Sequence, residues 1–167
     1  FKDKIVMDIG ASTGGFTEVV LHFGAQKVFC VDVGTKQLHP KISADSRIVN
    51  LEKTHVRELT SKNITEDIDA CVIDVSFISL SKVLPAVFGL LKENGTVIAL
   101  IKPQFEAGKN LVEKGGIVKD PKVHEMVIKN VIKDAENIGY NTDKFIDSPI
   151  EGADGNKEFL AYFKKNA

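Results

Sequence analysis

Short apolar segments alternate with segments of helical periodicity over much of the chain. The apolar segments are KIVMDIG, KVFCVDVG, RIVN, DACVIDV and GTVIALIK. All but RIVN are apolar at nearly every position, which is typical of parallel strands that helices cover on both faces. Helical or turn segments are predicted between them at residues 17–23, 37–42 and 81–91. In the last of these, Val83, Leu84 and Val87 recur at helical spacing.

The rest of the chain predicts one long helix and two more strands. Residues 103–119 form a predicted loop rich in glycine and lysine. Pro121 then opens a helix that runs to about residue 138 and ends at Gly139. The turn-rich segment SPIEGADGN joins predicted strands at residues 140–147 and 157–164, so we expect a hairpin in which one strand runs antiparallel.

The order of these elements predicts the fold class. Strands that alternate with helices indicate an α/β fold with right-handed crossovers. We expect a Rossmann-like, doubly wound, mostly parallel sheet of seven strands, with one antiparallel strand near the C-terminus. A chain of 167 residues, 43% of them hydrophobic, is long enough for one domain with a substantial core, and we expect a single domain over residues 1–167.

Charge and cysteine content narrow the possible functions. The formal net charge of -1 excludes nucleic-acid binding by overall charge alone, so an RNA partner requires a local patch or another domain. Cys30 and Cys71 lie in apolar runs and are expected to be buried in a reduced, cytoplasmic protein. No apolar stretch approaches the roughly 18 residues of a membrane span, and the histidines show no ligand spacing, so neither membrane insertion nor a metal site is expected.

The glycine-rich segment MDIGASTGGFTEVV follows the first predicted strand, where open α/β sheets bind ligands. Gly10 and Gly14 allow the backbone to approach a ligand closely, and Ser12 or Thr13 is expected to cap the following helix. Asp32 ends the second strand, 22 residues (32 minus 10) after Gly10. A carboxylate at that position accepts hydrogen bonds from ribose hydroxyls.

Two features of this segment distinguish among the possible ligands. DIGASTGG lacks the G-x-G-x-x-G spacing that passes the pyrophosphate of a dinucleotide over a helix N-terminus. Asp8 stands just before the loop, and a carboxylate there repels a pyrophosphate but attracts the ammonium group of a methionine moiety. S-adenosylmethionine is therefore the favoured cofactor, with a dinucleotide or a purely structural turn as the alternatives.

Three ionisable residues close or open predicted strands that are otherwise apolar. They are Asp74 in VIDVSFISL, Lys102 in LIKPQFE and Glu158 in GNKEFLAYF. Each alone is compatible with a solvated strand end. Together at one sheet edge they predict a catalytic cluster.

Several motifs carry a resemblance to a known family. DIGASTGGFT, VDVG, DVSFISL, KPQFEAG, KGGIVKDP and SPIEGADGNKEF resemble segments of the FtsJ-type ribose 2'-O-methyltransferases, most closely the hemolysin A-like branch. The resemblance extends over nearly the whole chain. It implies transfer of a methyl group from S-adenosylmethionine to a ribose 2'-hydroxyl of ribosomal RNA, with cytidine as the suggested nucleotide and ribosomal RNA or ribosomal subunits as partners.

The resemblance also implies a catalytic Lys-Asp-Lys-Glu tetrad. Its aspartate matches Asp74, its second lysine Lys102 and its glutamate Glu158. The first lysine belongs to a helix upstream of the loop, and Lys2 and Lys4 lie too close to the first strand to match it, so we expect an upstream segment to be missing. Lys102 is expected to take the hydroxyl proton, which requires its neutral form. Desolvation or a second cation favours that form, and neighbouring carboxylates oppose it.

The cofactor-binding residues that the resemblance implies surround the glycine-rich loop. They are Asp8, Gly10, Ser12 and Gly14 near the methionine end, Asp32 at the ribose, and Asp74. His55, in LEKTHVREL, is a weaker candidate for an adenine contact, because relatives often carry asparagine there; an ordinary loop residue is the alternative.

The lysine-rich segment AGKNLVEKGGIVKDPK is the best candidate for RNA contact. It brings Lys109, Lys114 and Lys119 near the expected active edge, and the pair Gly115 and Gly116 offers flexibility. A solvated mobile loop is the alternative interpretation. Members of this branch typically carry a small RNA-binding domain before the catalytic domain, which agrees with a catalytic part of near-neutral charge.

Three rival functions remain at this point. A membrane-damaging hemolysin is disfavoured because the chain contains neither a spanning segment nor a long basic amphipathic helix. A dinucleotide-dependent oxidoreductase is disfavoured by the loop spacing. A non-catalytic RNA-binding module that retains cofactor binding is disfavoured by the presence of Asp74, Lys102 and Glu158.

Overall fold

The computed structural model describes residues 1–60, 62–152 and 155–166. Seven strands and five α-helices, with short 3-10 turns between some of them, make up this part of the chain. The strands are β1 Ile5–Ile9, β2 Lys27–Val31, β3 Ile48–Leu51, β4 Ile68–Ile73, β5 Leu91–Ile101, β6 Tyr140–Asp147 and β7 Phe159–Lys165. The helices are α1 Gly15–His22, α2 Pro40–Ser43, α3 Leu84–Leu90, α4 Pro103–Glu106 and α5 Pro121–Ile138.

All seven strands form one sheet in the order β3-β2-β1-β4-β5-β7-β6. Neighbouring strands from β3 to β5 are parallel, whereas β7 is antiparallel to both β5 and β6. The predicted fold class is confirmed, including the antiparallel strand near the C-terminus. The strand order reverses between β1 and β4, and in open α/β sheets ligands bind at such a point, beyond the carboxyl ends of the strands.

Apolar side chains cover both faces of the central strands. In β1, Met7 packs into a large core shared with α3 and α5, while Val6 packs into a smaller core beneath α1. Val131 on α5 and Val20 on α1 belong to these two cores, respectively. Burial on both faces explains why apolar and polar residues hardly alternate in the sequences of β1, β2, β4 and β5.

The start of α1 differs from the prediction. Gly14 is the N-cap residue, with a φ of 102°, and no side chain caps the helix, so the expected cap by Ser12 or Thr13 is wrong. A Cβ on Gly14 would lie 2.5 Å from Ile42 Cδ1 and 3.0 Å from Leu38 Cδ1. The close packing of the α2 segment therefore requires glycine here, in addition to the left-handed backbone.

Other boundaries shift by a few residues. The predicted loop at 103–119 contains α4 and a 3-10 turn at Lys109–Leu111, and β5 begins at Leu91, before the predicted strand. Ala153 and Asp154, in the connection SPIEGADGN, lie outside the described residues. Among the helices described, none is both long and apolar enough to cross a bilayer.

Candidate active site at the carboxyl edge of the sheet

Two open clefts adjoin at the carboxyl ends of the central strands. The larger has a volume of about 680 Å³ and reaches from the glycine-rich loop past Asp32 to His55. The smaller, about 420 Å³, reaches from the same loop over Asp8 toward α1 and the loop after β6. Gly10, Ser12 and Asp74 line both clefts. Each volume lies within the range of small-molecule sites.

Gly10 lets the loop rest directly on the end of β4. A Cβ on Gly10 would lie 2.1 Å from the carbonyl oxygen of Asp74, and the residue has a φ of 81°. Its backbone N–H donates to the carbonyl of Val31, at 2.9 Å. The loop is thereby attached to both β4 and β2, and it forms the ridge between the two clefts.

Asp32 holds the loop from the end of β2. Its Oδ2 accepts from the backbone N–H of Ser12 and its Oδ1 from that of Gly34, both at 2.8 Å. Each carboxylate oxygen retains a lone pair for a further hydrogen bond. Asp32 lines the larger cleft, where its carboxylate can accept hydrogen bonds from hydroxyl groups.

Asp8 is a buried carboxylate at the floor of the smaller cleft. Its Oδ2 accepts a hydrogen bond of 2.6 Å from Thr17 Oγ1, whereas no residue in the described part of the chain bonds its Oδ1. Burial raises the pKa of Asp8 to about 7, although the Thr17 bond opposes this. The nearby Asp74 and Asp32 raise it further. A cation in the smaller cleft would stabilise the ionised carboxylate.

The raised pKa of Asp8 predicts an unusual pH dependence of stability. An aspartate titrates near pH 4 in an unfolded chain, so between about pH 4 and 7 the folded chain binds more protons. The contribution of the protonated carboxyl to the free energy of unfolding is fully present below about pH 4. It is lost as the pH rises to about 7. Asp8→Asn should therefore raise the free energy of unfolding at pH 8 by about 1–4 kcal/mol, as measured by denaturant titration.

The matched control for this variant is Asp143→Asn, at an exposed position on β6. It should leave the pH dependence of unfolding as in the wild type. An Asp8→Asn protein whose stability falls between pH 5 and 8 as steeply as that of the wild type would contradict the assignment to Asp8.

Lys102 and Asp74 form an ion pair where β4 and β5 end. Lys102 Nζ lies 2.6 Å from Asp74 Oδ1 and donates to Ser76 Oγ at 3.3 Å. The lysine side chain is only 14% exposed, whereas that of Asp74 is 41% exposed. Asp74 lines both clefts and is the more exposed member of the pair. The structure thus brings these two predicted residues together. Ser76 was not predicted, because its side chain contacts Lys102 only through the tertiary fold.

Glu158 lies beside Lys102 in the sheet but is bound elsewhere. Ile101 pairs with Phe159, which places Lys102 and Glu158 next to each other at the strand ends. Within the described residues, no ion pair joins them. Instead Glu158, 5% exposed, accepts a hydrogen bond of 3.0 Å from Gln104 Nε2 through its Oε1. The sequence did not predict Gln104 of the KPQFE motif, because its contact with Glu158 depends on the tertiary fold.

Comparison with known proteins identifies the family of this site. A model of the FtsJ-like methyltransferases matches residues 1–165. The chain belongs to this family. Relatives include YqxC of Bacillus subtilis, 48% identical over 96% of this chain and 58% of the relative. Hemolysin A of Brachyspira hyodysenteriae is 41% identical over 97% and 68%, respectively.

A third relative is the 16S/23S rRNA (cytidine-2'-O)-methyltransferase TlyA of Mycobacterium tuberculosis, 42% identical over 95% of this chain and 59% of the relative. The chain thus spans about 58–68% of the length of these relatives. A hemolysin-named protein from Lactococcus lactis has a crystal structure with a TM-score of 0.96 and 46% identity, over 99% of this chain and 79% of that one.

More distant structures share the fold alone. An S-adenosylmethionine-dependent methyltransferase from Mesorhizobium loti has a TM-score of 0.70 at 12% identity, over 98% of this chain and 92% of that one. The fold is therefore shared with a protein whose sequence is very different from that of this chain.

The remaining residues that the sequence predicts for the site have different surroundings. Gly14 does not line either cleft in the described chain; it packs against α2. His55 lines the larger cleft and caps a 3-10 turn, with its Nδ1 accepting from the backbone N–H of Arg57 at 3.2 Å. The described residues contain no group of side chains suited to holding a metal ion.

The lysine-rich segment is more ordered than the sequence suggests. Asn156, just before Glu158, is buried; its Oδ1 accepts from the backbone N–H of Val118, and its Nδ2 donates to the carbonyl of Gly116, both at 3.0 Å. Lys119 Nζ lies 3.4 Å from Glu113 Oε2. Lys114 and Lys109 are exposed, and Lys109 lines a groove with Gln104, Phe77 and Phe105, two rings whose centroids are 4.8 Å apart.

Proposed function

We propose that this chain transfers a methyl group from S-adenosylmethionine to the 2'-hydroxyl of a cytidine ribose in ribosomal RNA. The Asp74 and Lys102 pair, 2.6 Å apart on the rim of the two clefts, carries this proposal. The Mycobacterium tuberculosis relative and one from Campylobacter jejuni are named rRNA (cytidine-2'-O)-methyltransferases, which supports the reaction and the substrate. A ribosomal RNA substrate also implies action in the cytoplasm.

The described residues fit S-adenosylmethionine. The larger cleft suits the adenosine, with Asp32 accepting from the ribose hydroxyls and His55 near the base. The smaller cleft suits the methionine end, because the unpartnered Oδ1 of Asp8 can accept from its ammonium group. Gly10 lines both clefts, so a ligand that spans them passes beside its backbone.

Proton transfer and alignment are the tasks of the chain's own residues. Bound S-adenosylmethionine supplies a methyl group on a positively charged sulfur. The Asp74 carboxylate can accept a hydrogen bond from the target hydroxyl and so align its oxygen with the methyl carbon. As the hydroxyl oxygen attacks the methyl group that bound S-adenosylmethionine would supply, the hydroxyl proton would pass to neutral Lys102 Nζ.

RNA recognition is assigned to the exposed lysines beside this edge. Lys109, Lys114 and Lys119 project from the segment that Asn156 attaches to the strand end carrying Glu158. Phosphate groups are attracted to such a cluster in a salt-dependent manner. The overall charge of -1 means that this local cluster, rather than the whole surface, supplies the attraction.

Asn156→Ala should weaken RNA binding without altering the cofactor site. Removal of both amide contacts frees the segment at Gly116 and Val118. Reordering it on RNA should raise the KM for RNA about 3- to 10-fold, because ordering an interface segment costs about 0.5–1.5 kcal/mol per side chain. Steady-state methyl transfer at varied RNA concentration measures this.

Asn141→Ala, at an exposed position on β6, is the control and should leave the KM for RNA at the wild-type value. Stability should fall by about 1–3 kcal/mol in Asn156→Ala, so the assay is run well below its melting temperature. An unchanged KM for RNA in a folded Asn156→Ala protein would show that the segment does not contact RNA.

The proposed reaction is tested by incubating the protein with labelled S-adenosylmethionine and ribosomal subunits or naked ribosomal RNA. The RNA is then digested to nucleosides. We expect the label in 2'-O-methylcytidine. Label on a base atom would contradict the ribose as target, and label in another 2'-O-methylnucleoside would contradict cytidine only.

A further inference from the structure

Gln104 is the hydrogen-bond donor to the buried Glu158 side chain among the described residues. Gln104 follows Lys102 by two residues, at the start of α4, and its Nε2 donates to Glu158 Oε1 at 3.0 Å. The amide of Gln104 thus turns its nitrogen toward Glu158 and its oxygen away from it. This contact joins the element after β5 to the residue before β7.

The same orientation leaves the other end of the amide unsatisfied. Gln104 Oε1 is buried, and no partner for it exists within the described part of the molecule. An acceptor buried without a donor lowers stability. An apolar side chain of similar shape at this position would avoid that loss but would leave the buried Glu158 carboxylate without this donor. The glutamine therefore leaves its own oxygen unsatisfied in a contact that holds Glu158.

The surroundings of Glu158 restrict its carboxylate to one place. A Cβ on Gly152 would lie only 2.1 Å from Glu158 Oε1, so the loop before β7 packs tightly against the carboxylate. Gln104 approaches the same oxygen from α4. The glycine thus leaves space for the carboxylate, and the amide supplies the hydrogen bond that keeps it there.

We propose that Gln104 is a positioning residue that holds the Glu158 carboxylate at the strand end next to Lys102. This inference rests on the proposed function and on the prediction that Glu158 belongs to the catalytic group. Gln104 itself does not touch the reacting atoms. Its loss should therefore lower the rate of methyl transfer without weakening the binding of either substrate.

Gln104→Met tests this with a side chain of similar length that removes both the donor and the unsatisfied acceptor. We expect kcat to fall about 10- to 100-fold, as small misplacements of a reacting group do. The KM for RNA and the Kd for S-adenosylmethionine should stay at the wild-type values, whereas the melting temperature should fall, because the buried Glu158 carboxylate loses this donor. Gln26→Met, at an exposed turn before β2, is the matched control and should change none of these.

Glu158→Gln, measured in parallel, separates the possible failures. An inactive Glu158→Gln protein beside a fully active Gln104→Met protein would overturn the positioning role and leave the proposed function standing. A Gln104→Met protein whose KM for RNA or Kd for S-adenosylmethionine rises along with the loss of kcat would show a merely structural residue. Full activity in Glu158→Gln would remove Glu158 from the catalytic group and the inference with it, and a wild-type protein that transfers no methyl group would overturn both.

Discussion

Lys102→Ala is expected to lower the rate of methyl transfer by about 10²- to 10⁴-fold, the range for loss of a general base. Lys102 Nζ lies 2.6 Å from Asp74 Oδ1, and the side chain is largely buried at the rim of the clefts. The lysine does not line either cleft within the described residues, so the affinity for S-adenosylmethionine should stay near the wild-type value. Single-turnover transfer and calorimetric titration measure the two properties separately.

Lys92→Ala is the matched control, because Lys92 lies on the same strand at its opposite end. Its Nζ pairs with Asp69 at 3.0 Å, far along β5 from Lys102. This variant should keep both transfer and cofactor binding. An equal loss of rate and cofactor affinity in Lys102→Ala would contradict the division of roles between proton transfer and binding.

Asp32→Ala is expected to raise the Kd for S-adenosylmethionine about 10- to 100-fold. Hydrogen bonds to a charged group contribute about 1.5–3 kcal/mol each, and this variant loses the proposed ribose contact. It also frees the backbone N–H groups of Ser12 and Gly34, both of which shape the loop. Equilibrium binding at fixed salt measures the change.

Asp32→Asn provides a graded comparison for the same site. Its single carbonyl oxygen can replace only one of the two acceptors, so its Kd should fall between those of the wild type and Asp32→Ala. Wild-type affinity in Asp32→Ala would place the cofactor outside the larger cleft.

The architecture could be predicted because strands that are buried on both faces have apolar residues at nearly every position. β1, β2, β4 and β5 are covered on both faces and so read as continuous apolar runs, and the short connection before β7 indicated an antiparallel partner. The carboxyl ends of parallel strands meet at one edge, which brought Asp8, Asp32 and Asp74 together as expected.

The contacts within the site could not be predicted in the same way. Thr17 bonds Asp8 because α1 packs back across β1, and Gln104 rather than Lys102 bonds Glu158 because α4 turns the amide toward β7. The sequence pattern at Gly14 suggested a capped helix, but the packing of the α2 segment decides that position. Such contacts depend on the directions of side chains in the folded protein, which the spacing of residues along the sequence does not predict.

Calorimetric titration of this chain with S-adenosylmethionine, and in parallel with NAD, tests most directly the claim that the glycine-rich edge is the site of methyl donation. The account predicts saturable binding of S-adenosylmethionine that Asp32→Ala weakens, and no binding of NAD, because Asp8 at the floor of the smaller cleft repels a pyrophosphate. Binding of NAD in its place, or binding of neither ligand, would contradict it.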